Sequence, residues 1–524
     1  MDEFSNTDDD VFLVRTRRMI DRGALLSRYS RTATLDIREL YRKEFENDER
    51  RGTEFYKKVF IEYGDESVSE LVTAQLAIQN VSNVVSKRIE EIRVGLSFLE
   101  KSSRYVRYDR KVDGNYLFAS PEKIGISGQA AAEYTEVCNL LFDTYAELYE
   151  PMLETIRKMY PIEDMDFLSP ELKKDLPYGS LSEKDRTIAK KSYDSSVRAR
   201  SLDDLRFLLP ASTLTNIGVS GNGRSYIELI RKLKHSGDIE SESLAGKIYN
   251  ELLKEFPGLI ENSMSTRSDE IARYEDQVTR LTAIESNGKV PEELVHLAFS
   301  DDRKMALDRV ITLLIYQNGG SLKSLAEMVK SMGNTEKSEL ISKIGQLRTN
   351  RKMKPPRAFE SINFLFEVNT NYGAFRDLQR HRFLSIIRNP LSVSYGYDFP
   401  EIMGAVEEYR SKFRFAMERA KEVYEMIRQK YGPNVAQYAV PYAFKYPITV
   451  GSNLREITYF IELRSTPQAH YDLRKISMEM YKLVKAAHPE LSQIIRFADM
   501  NQYELGRIRA EERKERKLLD FGNI

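Results

Sequence analysis

The chain has 524 residues, with 80 Lys+Arg balanced by 80 Asp+Glu, so its formal charge is zero. At about 100–200 residues per domain, two to four domains are expected. Zero net charge excludes a general nucleic-acid coat, which needs a strong positive field. A content of 41% hydrophobic and 10% aromatic residues excludes a mostly disordered chain. One cysteine, Cys138, excludes an intrachain disulfide and a Cys-based zinc site, and the five histidines form no local pair, so no metal is expected. Met1-Asp2-Glu3-Phe4 opens no secretory signal, and apolar runs such as Val310 to Ile315 fall far short of the roughly 20 residues of a membrane span. The expectation is a soluble, cytoplasmic protein without membrane contact.

In chain order, Tyr105 to Tyr108 reads as a strand. Residues 110–200, with Pro151, Pro161, Pro170, Pro177 and the charged run Glu183 to Lys191, read as an inserted helical excursion. Leu214 to Val219 reads as a strand and Tyr249 to Phe256 as a helix. Val406 to Lys430 is a long amphipathic helix broken by Gly432-Pro433. Pro447 to Val450 is a strand and Met478 to Ala487 a helix. The tail, Arg507 to Lys517, is almost all charge and reads as a solvated helix face or a frayed end. The fold class is α+β with helix dominant.

An internal repeat organises the chain. Leu209-Pro210 matches Val440-Pro441. Asn222 and Arg224 match Asn453 and Arg455, with offsets of 231. Glu70 and Ser102 match Glu360 and Ser392, with offsets of 290. The difference in offset places about 59 extra residues between Tyr105 and Leu209. Two related domains are therefore expected, at 1–265 and 266–524, with the insertion at about 110–200 in the first.

Three polar clusters carry candidate chemistry. Arg380-His381-Arg382, followed by Ser385, Arg388 and Asn389, is a compact donor array suited to phosphate or to a ring carbonyl. Glu100, Ser102 and Arg104 alternate, so on an extended segment they share a face. Asn453, Arg455 and Arg464 lie on a helical stretch, with the two arginines nine residues apart.

Together these clusters resemble the flavin-dependent thymidylate synthase family. That family carries Arg-His-Arg-x-Ala-Ser-x-Asn-Glu-x-Ser-x-Arg-Tyr, then Arg-x-x-Leu-Pro, Asn-x-Arg and Leu-x-Leu-Arg. The first half keeps Ser97 to Tyr105, Arg206-Phe207-Leu208-Leu209-Pro210 and Asn222-Gly223-Arg224, but has lost Arg-His-Arg. The second half keeps Arg380-His381-Arg382, Asn453, Arg455 and Arg464. There, Gln437 stands in place of the arginine before Leu-Pro, and Asp377 stands where the family has Gln before Arg-His-Arg. The losses are complementary, so the resemblance implies one nearly complete composite site and one dead site.

The resemblance also implies two tandem synthase-like domains, each helix-rich around a mainly antiparallel sheet. It implies reductive methylation of dUMP to dTMP, with FAD as cofactor and NADPH and methylenetetrahydrofolate as co-substrates. By resemblance, Glu100, Ser102, Arg104, Arg206, Arg380 and Arg464 bind substrate. Glu100, Arg380, His381, Arg382, Asn453 and Arg455 hold FAD, and Arg464 acts on the uracil ring as the catalytic residue. A homodimer of tandems would mimic the family's tetramer. The alternative is a catalytically inactive nucleotide- or flavin-binding relative with a structural or regulatory role.

Overall fold

The computed structural model describes residues 3–6, 9–33, 36–62, 67–283 and 291–522. It divides into two compact units. Unit 1 comprises Met1–Lys101, Phe118–Thr135 and Ala211–Gly288, and unit 2 comprises Ser102–Leu117, Glu136–Pro210 and Lys289–Ile524. In chain order the strands are β1 (Thr73–Ser82), β2 (Leu96–Glu100), β3 (Asp166–Ser169), β4 (Lys174–Pro177), β5 (Leu214–Asn222), β6 (Val295–Ser300), β7 (Asn363–Asn371), β8 (Ser385–Arg388) and β9 (Lys445–Asn453). Helices dominate both units, and every strand pair is antiparallel.

Unit 1 is built on the sheet β1-β5-β2. Ile217 and Val219 of β5 alternate inward onto Ile78, Val85, Leu96, Tyr226, Leu229 and Ile230. Helix Gly223–Lys234 begins where the Asn222 side chain accepts from Ser225 N at 2.9 Å, and its apolar positions Tyr226, Leu229, Ile230 and Leu233 recur at helical spacing on the buried face.

Unit 2 repeats this plan and adds a strand, in the order β6-β7-β9-β8, while β3 and β4 form a separate hairpin. Phe364, Phe366 and Val368 of β7 and Ile448 and Val450 of β9 fill its core. Asn453 caps helix Leu454–Arg464 as Asn222 caps its counterpart, accepting from Glu456 N at 3.0 Å. The register carries the repeat: Thr73 faces Asn222 in unit 1, and Asn363 faces Asn453 in unit 2. Those pairs reproduce the sequence offsets of 290 and 231. Both halves also place the same ion pair there, Arg224–Glu70 at 2.8 Å and Arg455–Glu360 at 2.6 Å.

Most sequence-based elements find their place. Leu214 to Val219 lies in β5 and Pro447 to Val450 in β9. Helix Glu407–Tyr431 ends at Gly432, helix Ile239–Glu255 contains Tyr249 to Glu255 with Phe256 as its C-cap, and helix Tyr471–Ala487 contains the last segment. The excursion holds helices Gln129–Met159 and Glu183–Leu205.

Two readings need correction. Tyr105 to Tyr108 form no strand. Ser102 Oγ accepts from Arg104 N at 3.3 Å and Ser102 O from Val106 N at 3.2 Å, so the chain turns after β2. Glu100, Ser102 and Arg104 therefore do not share the face of an extended segment. The charged tail is also not frayed: helix Ile508–Gly522 is tied within unit 2, with Arg516 on Asp185 at 2.7 Å and Glu512 accepting from Leu168 N at 3.1 Å.

Candidate active site

The excursion brings first-half arginines into unit 2. Arg104 donates to both Asp203 oxygens, Nε–Oδ1 at 2.7 Å and Nη2–Oδ2 at 2.8 Å. Arg206, 2% exposed, donates Nη1 to Asp377 Oδ2 at 3.2 Å and Nη2 to Gly373 O at 3.1 Å. Arg380 Nε stands 3.8 Å from the other Asp377 oxygen, and Arg376 Nη1 donates to Ser103 Oγ at 3.2 Å. Burial alone would raise both carboxyls. For Asp203, the Arg104 guanidinium overrides this and holds it well below the usual range; Arg206, Arg104 and Arg380 do the same for Asp377.

Next to this network, Arg464 Nε donates to His381 Nε2 at 2.7 Å, and Arg464 Nη2 reaches Asp377 O at 3.4 Å. The His381 ring is therefore neutral at Nε2, with Nδ1 facing Glu456 Oε1 at 3.5 Å, and it packs edge-on against Phe460. Burial lowers its pKa and also lowers that of Arg464. His470, fully buried, caps helix Tyr471–Ala487 through Nδ1 and stacks on Phe207. Burial drives its pKa well below normal. Behind it, the Asn371 amide donates to two carboxylates, Asp472 at 2.8 Å and Asp398 at 3.1 Å. Burial, with Asp398 adding to it, pushes Asp472 up to about 7.

A cleft of about 390 Å³ opens in the same unit, lined by Lys354, Arg357, Phe383, Asn453, Arg455 and Tyr459, with Glu360 and Glu456. Phe383 is 81% exposed, and three cations surround the opening. Exposed aromatic faces beside clustered cations fit an anionic ligand with a flat ring, which is the chemistry of the FAD that the resemblance implies.

Of the residues singled out from sequence, Ser102, Arg104, Arg206, Arg380, His381, Arg382, Asn453, Arg455 and Arg464 fall in unit 2. Glu100 falls in unit 1, its side chain 2% exposed, where Lys87 Nζ and Ser86 Oγ both donate to it at 2.9 Å. Arg455 and Arg464 do serve different groups. Arg455 binds Glu360 and Pro355 O, and Arg464 binds His381.

The sheets also revise one alignment. Glu100 faces Ile217 and Arg388 faces Ile448, so Arg388 holds the register position of Glu100. A matching reversal runs along the preceding turn. Lys87 pairs with Glu90 and Glu100 in unit 1, and the corresponding positions in unit 2 are Asp377, Arg380 and Arg388. Each charge changes sign. Sequence reasoning missed Asp203, Arg376, Glu456 and Asp472. Only Asp377 left a signal, an acid where the resemblance expects an amide.

A family model described as thymidylate synthase complementing protein matches residues 22–258 and 306–490. A UPF0159 protein of Thermoplasma acidophilum is 52% identical over 95% of this chain and 99% of its own length. One from Chlamydia pneumoniae is 33% identical over 98% and 96%. A flavin-dependent thymidylate synthase of Geobacter sulfurreducens is 29% identical over 25% of this chain and 60% of its own. Among solved structures, a UMP/dUMP methylase, PolB, from Streptomyces cacaoi matches at a TM-score of 0.30 and 17% identity, covering 40% of this chain and 97% of that one. Among the described residues, no helix is long and apolar enough to cross a membrane.

Proposed function

This chain belongs to the thymidylate synthase complementing protein family, and we propose that it is a cytoplasmic flavin-dependent thymidylate synthase with one composite site. The reaction is reductive methylation of dUMP to dTMP, with methylenetetrahydrofolate supplying the carbon and NADPH the electrons. One observation carries the reading. Arg104 and Arg206 from the first half lie in the same compact unit as Arg380, His381 and Arg464, with Arg206 on Asp377 and Arg464 on His381, which supports a composite site.

In this reading, Arg104 and Arg206 hold the nucleotide by charge-assisted pairs, with Ser102 and its neighbouring amides closing the phosphate nest. Arg464 steadies negative charge developing on the uracil ring, an effect worth roughly 3–4 kcal/mol in oxyanion-type sites. Neutral His381 fixes the Arg464 guanidinium through its 2.7 Å bond. FAD supplies the redox chemistry when bound. Phe383 and Tyr459 offer it ring faces, Arg455 a cationic partner, and Asn453 lines its approach, with Arg380, His381 and Arg382 contributing as the resemblance implies. Two chains pair as a dimer of tandems.

A second reading, an inactive nucleotide- or flavin-binding relative, is favoured by the ion pairs that already engage Arg104 and Arg206. Measuring dTMP formation from dUMP with FAD, NADPH and methylenetetrahydrofolate separates the two. Turnover in the wild type that is lost in Arg104→Ala and Arg464→Ala but kept in Arg224→Ala supports the composite site. A wild type without turnover beside an active control sinks the synthase reading.

A further inference from the structure

A small cavity of about 40 Å³ in unit 2 is walled by Ser196, Arg200, Asp203, Tyr471, Arg474 and Arg507. Three cations meet there, and two are satisfied. Arg200 donates to Glu401 at 2.6 Å and lies over the Tyr471 ring, while Arg474 donates to Ser465 O at 2.8 Å and Asn501 O at 2.9 Å. Arg507 is different. It is 7% exposed, and both its Nη1 and Nη2 lack a hydrogen-bond partner. Asp203 Oδ2 stands 3.9 Å away, beyond hydrogen-bond reach, and already accepts from Arg104. The Arg507 guanidinium is held over the Tyr105 ring at 4.9 Å. Gly506 presses so closely on Pro467 O that a side chain there would overlap it, which fixes the segment against the wall.

Two bare donors on a buried guanidinium ask for an acceptor, because buried polar groups in folded proteins almost always have one. We propose that this cavity is a site for one small oxyanion, phosphate or carboxylate, taken by the paired N–H groups of Arg507. The planar fork of an arginine matches two oxygens of such an ion, and the cavity has room for a compact ion rather than an extended ligand. Of the two carboxylates on the wall, Asp203 is neutralised by Arg104 and Glu504 is exposed. Burial lowers the Arg507 pKa, with the nearby Asp203 charge opposing it. Residues 503–507 lie beyond 490, where the family match ends.

The test is equilibrium dialysis of the full chain against radiolabelled inorganic phosphate in chloride at fixed ionic strength, with thermal unfolding recorded in parallel. One phosphate per chain is expected, with a raised Tm and at least a tenfold weaker affinity in Arg507→Gln. Arg507→Lys, which keeps the charge but loses the fork, should fall between them. Arg507→Gln should unfold no earlier than wild type without phosphate, since it removes a buried charge whose Nη1 and Nη2 have no hydrogen-bond partner. Failure of the wild type to bind phosphate or acetate, or equal binding by wild type and Arg507→Gln, overturns the proposal. If Arg507→Gln does not fold, the Lys variant decides by the same comparison. A dUMP arm separates the sources: dUMP that displaces the labelled phosphate identifies a nucleotide phosphate, and dUMP that binds alongside it identifies a free ion.

Discussion

Replacing Asp377 with glutamine restores the amide that the resemblance expects and tests whether this carboxylate is what occupies Arg206. Asp377 Oδ2 lies 3.2 Å from Arg206 Nη1 with both groups buried. At that separation the Coulomb attraction is about 5 kcal/mol at an effective dielectric of 20, and desolvation of the two ions opposes it. Removing one partner of such a pair costs about 3–5 kcal/mol, because the other charge is left bare. The glutamine oxygen can still accept from Arg206 and recovers about 1–1.5 kcal/mol, so the variant should lose about 1.5–4 kcal/mol of stability. The same change frees Arg206 and relieves Arg380 of its acidic neighbour. A nucleotide phosphate would then supply the missing anion, so dUMP affinity should rise at least about tenfold, or 1.4 kcal/mol. The chain has no tryptophan, so urea unfolding is best followed by far-UV circular dichroism, with dUMP binding measured by calorimetry. Unchanged or weaker dUMP binding in a folded variant would refute the idea that Asp377 competes with phosphate.

Asp472 gives a pH test. Its folded pKa of about 7 lies above the ordinary value, so the folded state keeps a proton that the unfolded chain releases near pH 4, and stability falls as pH rises between the two. Asp472→Asn should match wild type near pH 4 and exceed it by about 2–4 kcal/mol at pH 7; a gap that does not grow with pH contradicts this. Glu462→Gln breaks the buried two-point bond from Arg348, at 2.8 and 2.6 Å, that anchors the helix carrying Arg464. It should cost about 1.5–4 kcal/mol in urea unfolding, since the glutamine oxygen can still accept one bond, and a loss below about 1 kcal/mol would show that the pair holds nothing. Arg224→Ala removes a pair whose side chains are each 51% exposed and should cost less than about 1 kcal/mol. Arg455→Ala, its counterpart at the cleft, should instead weaken FAD binding measured by flavin fluorescence; equal effects of the two would remove the distinction between the halves.

The sequence by itself determined the repeat. Asn222 and Asn453 recur because each must cap the helix that follows its strand, and Arg224 and Arg455 recur because each meets a glutamate, Glu70 or Glu360. Such local geometry is fixed by spacing within a few residues of a strand end, so a shared offset exposes it. The apolar alternation of β5 and β9 is legible for the same reason. Tertiary structure alone decided the electrostatics. Arg104 meets Asp203 across 99 residues and Arg206 meets Asp377 across 171, contacts that no periodicity encodes. The reversed charges of Lys87, Glu90 and Glu100 against Asp377, Arg380 and Arg388 became visible only once the strand register aligned them. Arg507 illustrates the limit most clearly. As one charge in a charged tail it reads as solvated, yet packing buries it beside Asp203, because the fold, not the neighbouring sequence, sets which charges lose their water.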